Sequence, residues 1–530
     1  MPLTRVLNRQ MGLAIAGGIG HAIALTPWVD AMWPPLAALL QTAGMAALLW
    51  SLVEAPSPKQ AALAAWLYGT AWLIGGTGWT YVSLHRYGGL PAWLSALSVL
   101  ALSLFLSIYL AAAGWLWARR PSQAGVWRSA WGWGSVWLLA ELARAMIFTG
   151  FPWASSGYGL VDVAWRVLAP WGGVYGMGAL WAVWVAASVL SARQWWLSRS
   201  FSSLHWSGIA AVVTLLCSIV WQPDTAGAQF TKPVGRAISV TLLQGDVPQD
   251  EKFESELQVP MLMWHAKAML SARTDLVVAP ETAIPLLPSQ LPDDYWSGLR
   301  SGFQAQGRYA LFGIPLGSFE AGYTNSVVGL SAEAAKEQAG YYRYNKHHLV
   351  PFGEFIPWGF HWFVQLMNMP LGDFERGPLV TPSFDVAGQR IAPTICYEDL
   401  YGEEIAARFT NPTVAPTILA NVSNLAWFGD DVAIFQHQQI ARMRSLEFQL
   451  PTIRSTNTGA TMVVGPDGAI LNKLPPNTRG ELVASVQGYA GVTPYAWWAG
   501  RWGLWPLVAV GVLASIALNR IQPLRRRNAT

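Results

Sequence analysis

The feature that most limits this chain is a series of apolar stretches, each close to the ~20 residues of helix that a hydrocarbon core requires. Seven lie in the N-terminal part: Met11–Trp28, Trp33–Val53, Ala61–Val82, Trp93–Trp117, Trp131–Phe148, Trp171–Ala192 and Ser207–Trp221. An eighth, Gly503–Leu518, comes near the end, and the long segment before it carries most of the carboxylates. Only 12% of the residues are charged, where a soluble domain has about 25%. A polytopic helical membrane protein with one inserted soluble domain is the architecture that fits.

Arginine placement gives the orientation, because positive loops stay cytoplasmic. Arg5 and Arg9 precede the first stretch, Arg119, Arg120 and Arg128 follow the fourth, Arg193 and Arg199 follow the sixth, and Arg520, Arg525, Arg526 and Arg527 follow the last. All fall on one side, so both termini are expected in the cytoplasm and the insert on the other side, which is the periplasm if the membrane is a bacterial inner membrane. A second reading takes residues 1–24 as a cleaved signal ending in Ala22-Ile23-Ala24, which leaves the later spans oriented as before. Trp115, Trp117, Trp127, Trp131, Trp195, Trp196, Trp497 and Trp498 sit near stretch ends, as rings anchored at a bilayer interface do; the alternative is ordinary helix packing. The formal charge of +4 gives no basic face for nucleic acid.

The expected division is a membrane domain over 1–225, a soluble domain over 226–495, and a last span with a basic tail over 496–530. Within the insert, strands are expected at Ala237–Leu243, Asp275–Ala279, Tyr309–Ile314, Ser326–Leu330, Ile391–Ile395, Thr413–Asn421, Thr452–Thr456, Ala460–Val464 and Glu481–Val486. Helices are expected at Asp250–Ser271, Asp293–Gln306, Asp399–Phe409 and Val432–Leu450. Gly465-Pro466-Asp467-Gly468 marks a hairpin turn. Several strands are apolar on both faces, which suits an α/β domain with a covered sheet. No GxGxxG, P-loop or zinc-spaced Cys/His group is present.

Three apolar strands end in an ionisable residue: Glu281 after Val277-Val278-Ala279-Pro280, Lys346 after Tyr344-Asn345, and Cys396 after Ile391–Ile395. A carboxylate, an amine and a thiol form a nucleophilic set in which base, oxyanion-stabilising cation and nucleophile are all supplied. Singly, each has a plainer reading: Glu281 as a turn residue, Lys346 as a solvated strand end, Cys396 as a small buried hydrophobe. The other cysteine, Cys217, lies in an apolar stretch, so Cys396 has no evident disulfide partner. Glu354 reads alone as a turn carboxylate after Gly353. His347 and His348, as strand neighbours, point to opposite faces, and neither is expected to be catalytic.

The motifs surrounding these residues resemble the nitrilase, or carbon–nitrogen hydrolase, superfamily and, within it, the membrane-integrated apolipoprotein N-acyltransferases. They are L-L-Q-G-D-V-P-Q (Leu242–Gln249), A-P-E-T (Ala279–Thr282), Y-N-K-H-H-L-V-P-F-G-E-F-I-P (Tyr344–Pro357), I-C-Y-E-D (Ile395–Asp399), Asn421–Gly429 and Q-H-Q-Q-I-A-R-M-R-S-L-E (Gln436–Glu447). The resemblance implies an αββα sandwich and a triad of Glu281 as base, Lys346 as oxyanion cation and Cys396 as thioester-forming nucleophile. It names Glu354, Glu398, Tyr397 and Asn325 as supporting residues. Leu425 stands where relatives commonly carry Asp, which puts a local loop contact in doubt and not the triad.

The reaction so implied moves an acyl chain from a glycerophospholipid, typically phosphatidylethanolamine, to the N-terminal amine of a diacylglyceryl-cysteine apolipoprotein, with no cofactor and no metal. Pro357–Pro370, with Trp358, Phe360, Trp362, Phe363, Leu366 and Met367, is expected to be an interfacial lid or, more plainly, a covering loop. A membrane-tethered amidohydrolase and a non-catalytic lipid carrier that has kept the fold are the competing readings.

Overall fold

The computed structural model describes residues 3–120, 125–198, 203–220, 227–249, 252, 255–318, 320–364, 373–430 and 432–518. Two compact units emerge, one from residues 1–78, 96–224 and 504–530 and the other from residues 79–95 and 225–503.

The first unit is helical. A helix lies over each expected stretch: Leu3–Ile23, Pro35–Val53, Pro58–Thr77, Ala92–Ala118 with a break at Ser107, Val126–Met146, Ala169–Ser198, Ser203–Val220 and Trp505–Leu518. Three segments are long and apolar enough to cross a membrane, Pro35–Val53, Ala92–Ala118 and Ala164–Ser198, and Trp505–Leu518 joins Pro494–Trp502 in a pair bent by 92° as a fourth candidate. Arg5 and Arg9 lie inside the first helix and not before it, because nothing in Leu3–Gln10 breaks the helical run. The third stretch also ends earlier than expected: its helix stops at Thr77, and residues 79–95 belong to the other unit. Gly17 and Gly44 let two helices approach until a Cβ on Gly17 would lie 2.7 Å from the Gly44 carbonyl. Trp131, Trp195, Trp196 and Trp497 are exposed, whereas Trp117 is fully buried against Trp133, so that ring packs inside the bundle. Arg199, Trp221 and the C-terminal arginines fall outside the described residues.

The second unit holds fourteen strands among the described residues: β1 (Thr231–Pro233), β2 (Ile238–Gln244), β3 (Leu276–Val278), β4 (Tyr309–Ser318), β5 (Gly322–Leu330), β6 (Tyr342–Asn345), β7 (Phe384–Val386), β8 (Gln389–Ile395), β9 (Ile418–Ser423), β10 (Thr452–Thr456), β11 (Met462–Val464), β12 (Ile470–Lys473), β13 (Gly480–Val486) and β14 (Tyr489–Gly491). Two six-stranded sheets run β13-β2-β3-β4-β5-β6 and β12-β11-β10-β9-β8-β7, and β1 pairs with β14. Between the sheets, Val240, Leu242, Leu276, Val278, Leu311 and Val327 meet Ile391, Ile395, Ile418, Val422 and Ile453. The opposite face of the first sheet, through Leu243, Val277 and Phe312, packs on helices Ser255–Ser271 and Asp293–Gln306. Ala392 and Leu419 do the same on the second sheet with Phe448 and Tyr495. Helix, sheet, sheet, helix is therefore the layering.

Most strand and helix positions overlap the expected ones, but Thr413–Thr417, expected as the start of a strand, is turn and loop ahead of β9, and β1, β7 and β14 lie outside the expected strands. The hairpin at Gly465–Gly468 joins β11 to β12 antiparallel. Asp399–Phe409, expected as one helix, is split into a 3₁₀ turn at Cys396–Leu400, a short helix at Gly402–Ala406 and a second 3₁₀ turn at Ala407–Phe409. Tyr401, at φ −106° and ψ 75°, makes the first break.

Candidate active site

Glu281 follows β3 in a turn that lies directly over β4. Gly313 makes that approach possible: its N–H donates to the Pro280 carbonyl at 3.1 Å, and a Cβ there would lie 2.6 Å from Glu281 Cα. The Glu281 carboxylate accepts from the Asn325 amide at 2.8 Å and the Asn424 backbone N–H at 2.9 Å, and it faces Lys346 Nζ at 3.4 Å.

Lys346 follows β6 and is fully buried. Its ammonium donates to Glu354 Oε1 at 2.8 Å, nearer than to Glu281. Asn325, on β5, joins the two carboxylates by donating from one nitrogen to Glu281 and to Glu354 at 2.8 and 2.7 Å. The other Glu354 oxygen accepts from the Val350 N–H at 2.8 Å. Burial opposes the charge on Lys346, but Glu354, Glu281 and Cys396 more than offset it and hold the group above the ordinary lysine value.

Cys396 opens the 3₁₀ turn after β8 and sits at φ 50°, a left-handed conformation that a side-chain-bearing residue adopts only when its surroundings impose it. Burial pushes its thiol well above the ordinary range and Glu281 adds to this, against the pull of Lys346. Burial thus favours the neutral thiol over the thiolate.

Glu398 is also buried at this turn but touches none of the three. Its carboxylate accepts from the backbone N–H groups of Ile395 at 2.7 Å, His347 at 2.7 Å and His348 at 3.2 Å, and from the Tyr344 hydroxyl at 2.8 and 2.7 Å. It ties the end of β8 to the end of β6. Tyr397 packs on His348 and Tyr401, with ring centroids 5.7 and 5.4 Å away. His347 and His348 lie beyond the end of β6, so strand alternation does not govern them; His347 meets the Gly377 carbonyl and His348 meets Glu404, both at 2.8 Å. Trp358, Phe360 and Trp362 are exposed on their loop, whereas Leu366 and Met367 lie outside the described residues. No group of His, Cys, Asp or Glu among the described residues is arranged to hold a metal ion.

Residues 22–188 match the family described as apolipoprotein N-acyltransferase N-terminal domain, and residues 239–495 match carbon-nitrogen hydrolase. The chain is 45% identical to an apolipoprotein N-acyltransferase of Verminephrobacter eiseniae, over 98% of this chain and 97% of the relative. It is 43% identical to one of Ralstonia nicotianae, over 98% and 94%. The chain belongs to the apolipoprotein N-acyltransferase family. It is thereby an acyltransferase of the carbon–nitrogen hydrolase superfamily. Amidase structures of that superfamily, such as one from Nesterenkonia sp. at 17% identity, coverage of 50% of this chain and 94% of that one, and TM-score 0.34, lie too far away to add to this.

Several residues of this acyltransferase's site carry no signal of their own in the sequence. Asn424 holds Glu281 through its backbone while its side chain donates to Gln249 at 2.7 Å and accepts from Asn457 at 3.0 Å. Leu425 beside it is fully buried in the layer between the sheets, so Asn424 reaches Glu281 without an acidic neighbour at that position. Lys252 is buried with Nζ on the Thr282 hydroxyl at 2.5 Å and 3.4 Å from the Glu281 carbonyl, and burial lowers its pKa to about 8. Asn424 and Gln249 fall inside quoted motifs, which was the available hint; Lys252 falls just after one.

Proposed function

We propose that Glu281, Lys346 and Cys396 carry out a two-step acyl transfer from a glycerophospholipid to the N-terminal amine of a diacylglyceryl-cysteine apolipoprotein. The observation that carries this reading is the buried Lys346 ammonium held between Glu281 and Glu354, in a chain whose relatives bear that activity in their names. Two carboxylates on one ammonium keep it charged, and a permanent cation suits an oxyanion partner better than a proton donor.

In the first step Glu281 takes the Cys396 proton as the sulfur attacks the ester carbonyl, and Lys346 balances the oxyanion. Collapse expels the glycerol oxygen, which takes the proton from Glu281 and leaves as lysophospholipid, with the acyl chain on sulfur. In the second step the acceptor amine attacks the thioester, Glu281 receives its proton, and the thiolate leaves and recovers it. Asn325 and Glu354 hold base and cation in register, and Glu398, with Tyr397 beside it, fixes the turn that presents the thiol.

The same reading places seven spans in residues 1–225, a periplasmic catalytic domain in 226–495, and a last span with a cytoplasmic tail in 496–530. Helices over each apolar stretch and the one-sided arginines support it. Phosphatidylethanolamine is the proposed donor, and the exposed Trp358, Phe360 and Trp362 support a lipid-facing role for their loop.

Purified protein mixed with acyl-labelled phosphatidylethanolamine and a diacylglyceryl-cysteine peptide tests this directly. Label should pass to Cys396 as a hydroxylamine-sensitive thioester and then to the peptide amine. Label released as free fatty acid with none on the peptide would favour the amidohydrolase-like reading instead.

A further inference from the structure

Cys396 is held in a left-handed backbone conformation, and its carbonyl is held by groups other than the base and the cation. Its carbonyl oxygen accepts from His437 Nε2 at 3.1 Å and from the Asn421 amide at 3.4 Å. His437 is fully buried on the helix Val432–Phe448. Its other nitrogen, Nδ1, faces Arg454 Nη2 at 2.5 Å.

A guanidinium only donates and a carbonyl only accepts. The Arg454 contact therefore requires Nδ1 to be bare, which puts the imidazole proton on Nε2, where the Cys396 carbonyl needs it. Arg454 is itself buried and fixed: Nη1 donates to Asp399 at 2.9 Å and Nη2 donates to the Ser423 hydroxyl at 3.2 Å. Asp399 in turn accepts from the Thr394 hydroxyl at 3.1 Å, on β8 just ahead of the cysteine. The relay Asp399–Arg454–His437 closes on the strained residue from both sides.

Resting on the thioester reading above, we infer that His437 is a positioning residue for the nucleophile. In the single tautomer set by Arg454, it holds the Cys396 carbonyl and so keeps the thiol turned toward Lys346 and Glu281. Without that bond, Cys396 relaxes toward an ordinary backbone conformation and the thiol turns away from Glu281 and Lys346 together. The charged groups acting on the thiol are Glu281, Glu354, Lys346 and Arg454.

Side-chain geometry supplies the test. A glutamine amide nitrogen reaches about as far as imidazole Nε2 and can still donate to the carbonyl, whereas an asparagine amide stops near Nδ1. His437→Gln should keep thioester formation within a few-fold of wild type. His437→Asn and His437→Leu should lose roughly tenfold to a hundredfold in single-turnover acylation, the equivalent of one hydrogen bond to a buried group, with donor KM unchanged.

A second readout needs no lipid: the pH profile of Cys396 alkylation by iodoacetamide, followed by peptide mass spectrometry to separate it from Cys217. His437→Asn should move the profile and His437→Gln should leave it in place, with a melting curve for each variant to separate repositioning of the thiol from loosened packing. A His437→Asn protein that melts as wild type does, with wild-type acylation and an unmoved profile, overturns the inference. So does a His437→Gln protein that is folded but as slow as the leucine variant. A wild-type protein that forms no thioester at Cys396 defeats the underlying reading instead, and the alkylation profiles still decide the role of His437.

Discussion

Replacing Glu354 by Gln removes one charge and keeps the shape, and the structure says what must follow. The carboxylate accepts three hydrogen bonds, from Lys346 at 2.8 Å, Asn325 at 2.7 Å and the Val350 N–H at 2.8 Å. An amide has one acceptor oxygen for these donors. Its NH₂ must face either the ammonium with Asn325, or the Val350 N–H, and one contact becomes donor against donor. Lys346 is then left with Glu281 as its remaining anion and closes the present 3.4 Å gap. A base held by an ammonium accepts a proton less readily. Hydrogen bonds to charged groups contribute about 1.5–3 kcal/mol, which at 1.4 kcal/mol per decade is about a tenfold to hundredfold loss in acylation rate.

The assay is single-turnover thioester formation with labelled phospholipid, beside a melting curve to show that the variant is folded. The pH profile gives a second check with a defined sign. Glu354 is the first-ranked of the charges that hold Lys346 above the ordinary lysine value against the effect of burial. Removing it lets the ammonium lose its proton at lower pH, so the alkaline limb of the acylation profile should move down. A folded Glu354→Gln protein acylating within threefold of wild type, with an unmoved alkaline limb, would refute the assignment of Glu354 as the anchor of Lys346.

Other substitutions separate positioning from chemistry. Gly313→Ala puts a methyl 2.5 Å from the Thr282 nitrogen and 2.6 Å from Glu281 Cα, so acylation should fall at least tenfold while lipid binding, measured by partitioning of labelled donor, is retained. Lys252→Met removes the ammonium from the Thr282 hydroxyl and the Glu281 carbonyl and should slow acylation several-fold; because Lys252 titrates near pH 8 through burial, wild-type acylation should decline above that pH and Lys252→Arg should remove the decline. Tyr344→Phe deletes the hydroxyl that meets both Glu398 oxygens and should lower stability by about 1–3 kcal/mol, seen in thermal melting. His265 is held at about 4 by burial, below its ordinary 6.5. The unfolded chain takes up that proton first, so stability is full above about pH 6.5 and is lost as pH falls toward 4, by on the order of 3 kcal/mol; His265→Gln should flatten the melting-temperature profile across that window.

What could be read in the sequence follows the length and regularity of each element. Thr452–Thr456 and Asp293–Gln306 match residue for residue, because a β-branched run and an acidic N-terminus with Gly307 past the end leave little else to adopt. β6 is four residues with alternating burial and an arginine in the middle, and β1, β7 and β14 are three each, too short for a pattern to register. Glu281 and Cys396 stood out because each follows an apolar strand, and Lys346 because it sits in the Tyr344–Pro357 motif. His437 did not, because Ala433 to Phe448 is buried on every side and its apolar residues follow no helical stripe. A polar residue on an all-buried helix is distinguished only by its partners, and those come from the turn after β8 and from β10.

Adjacent carboxylates in this site do unrelated jobs, and the backbone explains why. Glu281 follows β3, Glu354 lies in the loop beyond β6, and the two share Lys346. Glu398 and Asp399, two and three residues past Cys396, are turned to different partners by the tight 3₁₀ geometry of Cys396–Leu400. Glu398 gathers the N–H groups of Ile395, His347 and His348 in front, and Asp399 takes Arg454 behind. The turn is thus tied down through both carboxylates, which is what a residue at φ 50° requires if it is to stay there.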